Sequence, residues 1–253
     1  MALESAFSRT ELLLGKEALL RVSKARVAVF GLGGVGGYAA EALVRSGVGA
    51  LDLFDPDRIC ASNLNRQILA TGQTIGQYKV DAAKERFLSI NPAAEIRSYP
   101  VFFLPQSAEQ FDFRQYDYVI DAIDTVTGKI ALVLKAQEAG VPIISSMGTG
   151  NKLDPTQLEV ADLYETSVCP LARIMRKELR RRDVKSLKVV YSKEEPVRRG
   201  SEETGGNRAE VDFDGQIVRP KTQTPGTAAF VPAAAGFIIA SVVVRELCAD
   251  AGV

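Results

Sequence analysis

The stretch Arg26-Val-Ala-Val-Phe-Gly-Leu-Gly-Gly-Val-Gly36 constrains this chain more than any other. Val27 to Phe30 is a short apolar run of the kind that forms a buried strand. Gly31, Gly33 and Gly36 follow with G-x-G-x-x-G spacing, Gly34 lies among them, and Tyr38 to Val44 opens a helical pattern. This order describes a strand–turn–helix unit. Glycine permits the tight turn and a close backbone approach, and the helix N-terminus offers free N–H groups to an anion. The turn therefore predicts a phosphate-bearing ligand. By itself the pattern suits a dinucleotide as well as a nucleoside triphosphate, and a glycine turn with no ligand is the bland alternative.

The rest of the chain repeats the strand-and-helix theme. Leu51 to Asp55 reads as the second strand, and Asp55 falls 24 residues after Gly31. A carboxylate at that distance, at a strand's C-terminal end, accepts hydrogen bonds from ribose hydroxyls. Asp52, inside the strand, is expected to face solvent or cap a neighbour. Glu95 to Phe103 is a further strand, put at an edge by Pro100. Tyr118 to Asp124 is a strand ending on Asp121 and Asp124, Thr127 to Ala139 a helix, and Val141 to Ser145 another strand. Such alternation predicts an α/β fold: a Rossmann-like, mostly parallel sheet with right-handed crossovers and helices on both faces. The 253 residues suit one domain, with a nucleotide-binding half over 1–150 and an elaborated half over 151–253. Within the second half, Glu194 to Gly226 is rich in Gly, Glu, Arg and Pro, which reads as a long mobile loop of the kind that serves as a lid.

The segment after the second strand separates a triphosphate from a dinucleotide. Ser62-Asn-Leu-Asn-Arg-Gln67 sets three amides and a guanidinium directly beyond Asp55. Lys79 opens a helix whose apolar positions Val80, Ala83, Phe87 and Ile90 recur at helical spacing. A nicotinamide cofactor has no use for Arg66 and Lys79 together, whereas a triphosphate does. Asp124, a carboxylate at a strand end beside phosphates, is a natural Mg2+ ligand.

Taken together, Gly31-x-Gly33-Gly34-x-Gly36, Asp55, Asn63-x-x-Arg66-Gln67, Lys79 and Asp124 resemble the ThiF/MoeB/HesA adenylating superfamily, relatives of ubiquitin-activating enzymes. The resemblance runs from Phe7 to Ser146. It implies that ATP and Mg2+ convert a carboxylate into an acyl-adenylate. It also implies that Asp55 holds the ribose, that Asn63, Arg66 and Lys79 contact the phosphates with Gln67 in the same binding segment, and that Asp124 holds the metal. Arg9, in Phe7-Ser-Arg-Thr-Glu11, matches an N-terminal arginine that reaches the ATP of a neighbouring subunit, which implies a homodimer. Arg66, Lys79 and Asp124 are the catalytic candidates. Within the superfamily, Asn63-Leu-Asn-Arg-Gln-Ile68, Val119-Ile-Asp-Ala-Ile-Asp124 and Asp154-Pro-Thr-Gln-Leu-Glu-Val-Ala-Asp162 are similar to the tRNA threonylcarbamoyladenosine dehydratase branch. That branch cyclises a modified adenosine beside the anticodon, so a tRNA substrate is implied.

Composition narrows the chemistry further. Histidine is absent, which excludes every mechanism that needs an imidazole base or ligand. Thirty-one basic and 31 acidic residues cancel, so attraction to RNA must be local. It is sought between Arg173 and Lys188, where eight basic residues oppose Glu178 and Asp183, a net of +6. There Leu171, Ile174, Met175 and Leu179 are expected to bury one helix face. Three cysteines and no visible secretory leader suggest a reducing, cytoplasmic setting. Cys60 and Cys248 read as buried fillers, too scattered with Cys169 for a thiolate metal site. Cys169, ahead of Pro170 at the mouth of the basic helix, keeps open a second activity: adenylation of the C-terminus of a ubiquitin-like sulfur-carrier protein, with Cys169 as acceptor. A third reading, a nicotinamide oxidoreductase, leaves Arg66, Lys79 and Asp124 without a task. Ala228 to Val244 is uncharged and 17 residues long. Pro232 and Gly236 interrupt it, so a buried helix on the sheet or across a dimer interface is expected rather than a membrane anchor.

Overall fold

Strand β1 (Arg26–Phe30) lies inside the sheet, with Val27, Ala28, Val29 and Phe30 all fully buried. The computed structural model describes residues 6–197, 209–211, 217–220 and 225–249. β1 pairs in parallel with β2 (Ala50–Phe54) on one side and with β4 (Tyr118–Asp121) on the other. With β3 (Glu95–Tyr99), β5 (Ile143–Ser146), β6 (Leu158–Asp162) and β7 (Lys188–Ser192), the order across the sheet is β3-β2-β1-β4-β5-β7-β6. The chain moves outward through β2 and β3 and then returns to the far side of β1, so the order reverses between β1 and β4. A crevice opens beyond the strand ends at such a switch point.

Every neighbouring pair in this sheet is parallel except β6 with β7. A parallel connection needs a dozen or more residues and usually a helix. Between β5 and β6 the described structure has only one short 3-10 turn, Pro155–Gln157, and β6 docks antiparallel at the edge. The sheet is therefore mostly parallel, as the alternation of elements predicts, with one reversed edge strand.

Two apolar layers enclose it. Helices α2 (Lys16–Val22), α3 (Gly36–Arg45), α4 (Lys79–Ile90) and α7 (Phe230–Cys248) share one core, built on Val22, Leu43, Phe87, Ala235, Ile239 and Val243. On the other face α5 (Val126–Ala139) buries Leu132 and Ala136 against Phe30 and Phe113, while α6 (Pro170–Arg180) buries Ala172, Met175 and Leu179. The apolar C-terminal segment is thus a packed helix: a side chain at Gly236 would come 2.5 Å from the Val35 carbonyl oxygen of the α3 turn. α1 (Ser8–Leu14) buries none of its residues.

Several local expectations change. β3 is an edge strand but stops at Tyr99, because Pro100 has no N–H to continue a ladder. Asp52 does not face solvent. It is fully buried, accepting from Arg26 Nη1 at 2.6 Å and Tyr116 Oη at 3.1 Å, because β2 is an interior strand covered on both faces. β4 ends at Asp121, so Asp124 lies beyond the strand. Ile174 is exposed, since the buried stripe of α6 passes through Ala172, Met175 and Leu179 instead. Cys60 is exposed, whereas Cys169 and Cys248 are buried. Most of the predicted loop near 194–226 lies outside the described residues. Within it β8 (Ala209–Val211) and β9 (Ile217–Pro220) form a two-stranded antiparallel pair.

Candidate functional site

The glycine turn is built by close approach. Gly31 has φ of 90°, and a Cβ there would meet the Ala122 carbonyl oxygen at 2.6 Å. A Cβ on Gly36 would fall 1.8 Å from the Gly31 oxygen, so the turn folds back on itself and no larger residue fits. Gly33 is different. Nothing lies within 4 Å of its virtual Cβ, so its face is open. Gly34 approaches the Arg66 side chain and Pro232. The backbone beside the first turn of α3 is therefore open to close approach at Gly33, which suits a phosphate.

Asp55 fastens that turn to β2. Its carboxylate is buried and accepts from the Leu32 N–H at 2.7 Å and the Asp57 N–H at 2.9 Å. Lys79, buried on the first turn of α4, stands 3.3 Å from Asp55 Oδ1 and 2.8 Å from Asp57 Oδ2. Burial pushes the Asp55 carboxyl above its ordinary range, against the opposing pull of Lys79 and the two N–H donors. Asp57 was not singled out from the sequence, although Asp55-Pro-Asp57 could have signalled a paired carboxylate.

Asn63 and Arg66 come from a single turn beyond β2. Asn63 is buried and caps its own turn, accepting from the Cys60 N–H at 3.1 Å. Arg66 Nη1 donates to the Ser62 carbonyl at 2.8 Å and to Asn65 Oδ1 at 2.9 Å, which fixes its guanidinium before any ligand arrives. Gln67 is buried with its Oε1 lacking any hydrogen-bond partner among the described residues, an acceptor that a bound ligand would satisfy. Exposed Cys60 has its thiol held below the usual range, chiefly by the Ser62 hydroxyl 3.1 Å away.

Beside β1, the β4–α5 corner is pinned by a pair that sequence reasoning missed. Lys129 and Asp121 are fully buried and 3.0 Å apart, Ser145 Oγ donates to Asp121 at 2.5 Å, and Lys129 also donates to the Ile123 carbonyl at 3.1 Å. Asp121 is therefore spent internally. Asp124, three residues on, is exposed and makes no hydrogen bond or ion pair among the described residues. Nor does any group of three or more metal-ligating side chains occur among them. One free carboxylate fits Mg2+ carried largely by phosphate oxygens, the usual division of labour for that ion.

Arg9 is not part of this cluster within one chain. Phe7 packs near Gly47, beyond the C-terminus of α3, so α1 lies toward the opposite edge of the sheet from the glycine turn. Around Arg9, Leu12 and Leu13 are exposed. On α6, Arg173, Lys177 and Arg180 are exposed at positions i, i+4 and i+7, whereas Arg181 and Arg182 pair with Glu178 and Arg176 bonds to Thr166.

A glycine turn at the switch point, a pre-set arginine, a buried lysine and a free carboxylate beyond one sheet edge define a nucleotide-binding protein of the Rossmann-like class. The ThiF family model matches residues 7–250, and the chain belongs to the ThiF family. It is 42% identical over 245 residues to the tRNA threonylcarbamoyladenosine dehydratase of Bacillus subtilis, covering 96% of this chain and 95% of that one. Identity to the Escherichia coli dehydratase is 40% over 174 residues, 69% of this chain and 65% of the relative. The crystal structure of the E. coli enzyme, TcdA, in complex with ATP superposes with a TM-score of 0.85 at 33% identity, covering 99% of this chain and 96% of that one.

Proposed function

We propose that this chain is an ATP-dependent dehydratase that cyclises N6-threonylcarbamoyladenosine in tRNA through an acyl-adenylate. The observation that carries this reading is similarity to the B. subtilis dehydratase over nearly the whole of both chains. The motif residues, gathered beyond one sheet edge, agree with it. ATP would lie over Gly31 to Gly36, with the ribose against Asp55 and the phosphates toward Asn63, Arg66, Gln67 and Lys79. Mg2+ on Asp124 would neutralise phosphate charge when bound. The threonyl carboxylate attacks the α-phosphorus, a P–O bond breaks and pyrophosphate leaves. Arg66, already fixed by Ser62 and Asn65, meets charge developing on the phosphates without having to reorganise. The carbamoyl group then attacks the activated carbonyl, AMP departs, one proton is released from a carbamoyl N–H, and a five-membered ring closes. Because both groups belong to one nucleoside, closure gains from orientation and needs no covalent enzyme intermediate.

The same reading assigns the remaining surfaces. Arg173, Lys177 and Arg180 form a local phosphate-binding face for tRNA on a chain of zero net charge. A second copy covers Leu12 and Leu13 and receives Arg9 at its ATP, making the working form a homodimer, and the setting is cytoplasmic. The half over 1–150 serves ATP, and the half over 151–253 serves the RNA and the dimer. The sulfur-carrier alternative gains nothing from Cys169, which is 1% exposed. The test is AMP formation from ATP and Mg2+ with tRNA bearing the modification or with the same tRNA lacking it. AMP and the dehydrated nucleoside should appear only with the modified RNA. Equal AMP from both, or none from either, contradicts the reading.

A further inference from the structure

Three lysines are buried among the described residues: Lys79, Lys129 and Lys152. Lys79 faces Asp55 and Asp57, and Lys129 faces Asp121. Lys152 is 3% exposed and has no carboxylate within ion-pair distance among the described residues. Among the described residues its Nζ donates to a single partner, the backbone carbonyl of Glu194, leaving two N–H donors uncommitted there. The Glu194 carboxylate itself is turned onto the Leu153 and Asp154 N–H groups at 2.9 and 3.0 Å. A buried cation without a counter-charge is costly, and the two other buried lysines among the described residues each face a carboxylate. Burial lowers the affinity of Lys152 for its proton, against a smaller opposing pull from Cys169 and Glu194.

The position of Lys152 relates that missing charge to the reaction. It follows β5, the strand next to β4, beyond the same sheet edge as the glycine turn and Asp124. The segment Pro225 to Thr227 ties the two regions together. Asn65, the neighbour and hydrogen-bond partner of Arg66, donates to the Thr227 carbonyl at 2.9 Å. Asn151, the neighbour of Lys152, exchanges hydrogen bonds with Gly226, each at 2.7 Å. Asn151 holds φ of 57°, a left-handed conformation that asparagine tolerates better than most residues. Pro225 lies against Gly150, where a side chain would approach it to 2.8 Å. Lys152 is thus held one residue from a strap whose other end is bonded to the arginine segment.

We infer that Lys152 is a specificity-determining residue that receives the carboxylate of the modified adenosine, the substrate itself supplying the counter-charge the fold omits. Neutralised there, the carboxylate approaches the anionic α-phosphate with less repulsion. This deepens the proposed function and rests on it, and binding measurements separate the two. Wild-type protein should bind tRNA bearing threonylcarbamoyladenosine more tightly than the same tRNA with unmodified adenosine, by roughly tenfold or more for a charged hydrogen-bonded contact. Lys152→Gln should lose that preference while keeping its affinity for unmodified tRNA, and Lys152→Arg should retain most of it. Lys152→Met, which removes an uncompensated buried charge, should melt no lower than wild type. If wild type shows no preference, the proposed substrate is wrong. If wild type shows it and Lys152→Gln keeps it, or if Lys152→Met melts markedly lower with the preference intact, Lys152 is a structural cation and this inference is overturned.

Discussion

Among single residues, the two basic side chains of the motif segment play different physical parts. Arg66 is held by one carbonyl and one amide and neutralises no carboxylate among the described residues, so Arg66→Ala should keep the melting temperature and lose roughly 100-fold or more in AMP formation. Lys79 is buried against a buried aspartate, so Lys79→Ala, besides removing the proposed phosphate contact, strands Asp55. Breaking such a pair costs about 3–5 kcal/mol, so this variant should melt well below wild type in a calorimetric scan. Unchanged stability would mean that Lys79 and Asp55 do not support one another. The candidates themselves were legible because a turn and the segment after a strand are local in sequence. The burial of Asp52 was not, since it depends on which strands become neighbours, and the Asp57–Lys79 and Lys129–Asp121 pairs were not, since each depends on how a connection folds back to bring lysine and carboxylate together. Cys60 was misread as filler for a related reason: in Cys60-Ala-Ser62 nothing marks which side of the turn meets water, yet the thiol is exposed and bonded to Ser62.

At the scale of elements, patterning served the helices better than the connections. The apolar positions Val80, Ala83 and Phe87 of α4 are buried as their spacing requires. α6 was found, but its stripe was rotated: Ala172 and Ile174 lie about 200° apart around the helix, both are apolar, and either can complete a stripe with Met175 and Leu179. Rotation decides which charges are displayed. Arg181 and Arg182 are partly cancelled by Glu178, whereas Arg173, Lys177 and Arg180 share an outward face, with Arg180 over the Tyr164 ring at 5.2 Å. Replacing Arg173, Lys177 and Arg180 with Gln should therefore weaken tRNA binding, and flatten its logarithmic salt dependence by about 0.7 to 0.9 per lost phosphate contact. The pair Arg181→Gln and Arg182→Gln should do less. Equal effects from both sets, across a salt series, would place the RNA elsewhere.

For the molecule as a whole, the mostly parallel sheet was readable from the alternation of elements, whereas the switch point was not, because it depends on the strand order, and the ligand edge follows from that topology. The reversed β6 was not readable, because it follows from the lack of a crossover helix after β5 rather than from any residue of the strand. The distance between Arg9 and the glycine turn is also a property of the whole chain: α1 lies toward the far edge, so Arg9 serves a site only if a second copy brings one to it. Mixing two inactive variants, Arg9→Ala and Asp124→Ala, should then restore part of the activity, since a mixed dimer holds one intact site. No recovery in dimers shown to exchange subunits would remove Arg9 from the chemistry.

On the proposed reading, the strand-end site activates an RNA carboxylate by adenylation. Modified tRNA carrying heavy oxygen in the threonyl carboxylate, incubated with the protein, ATP and Mg2+, tests it most directly by mass spectrometry of the released nucleotide. Attack on the α-phosphorus followed by loss of AMP predicts one heavy oxygen in the AMP phosphate for each ring closed, and none in pyrophosphate. Ring closure with unlabelled AMP, or with label in inorganic phosphate beside ADP, would contradict the claim.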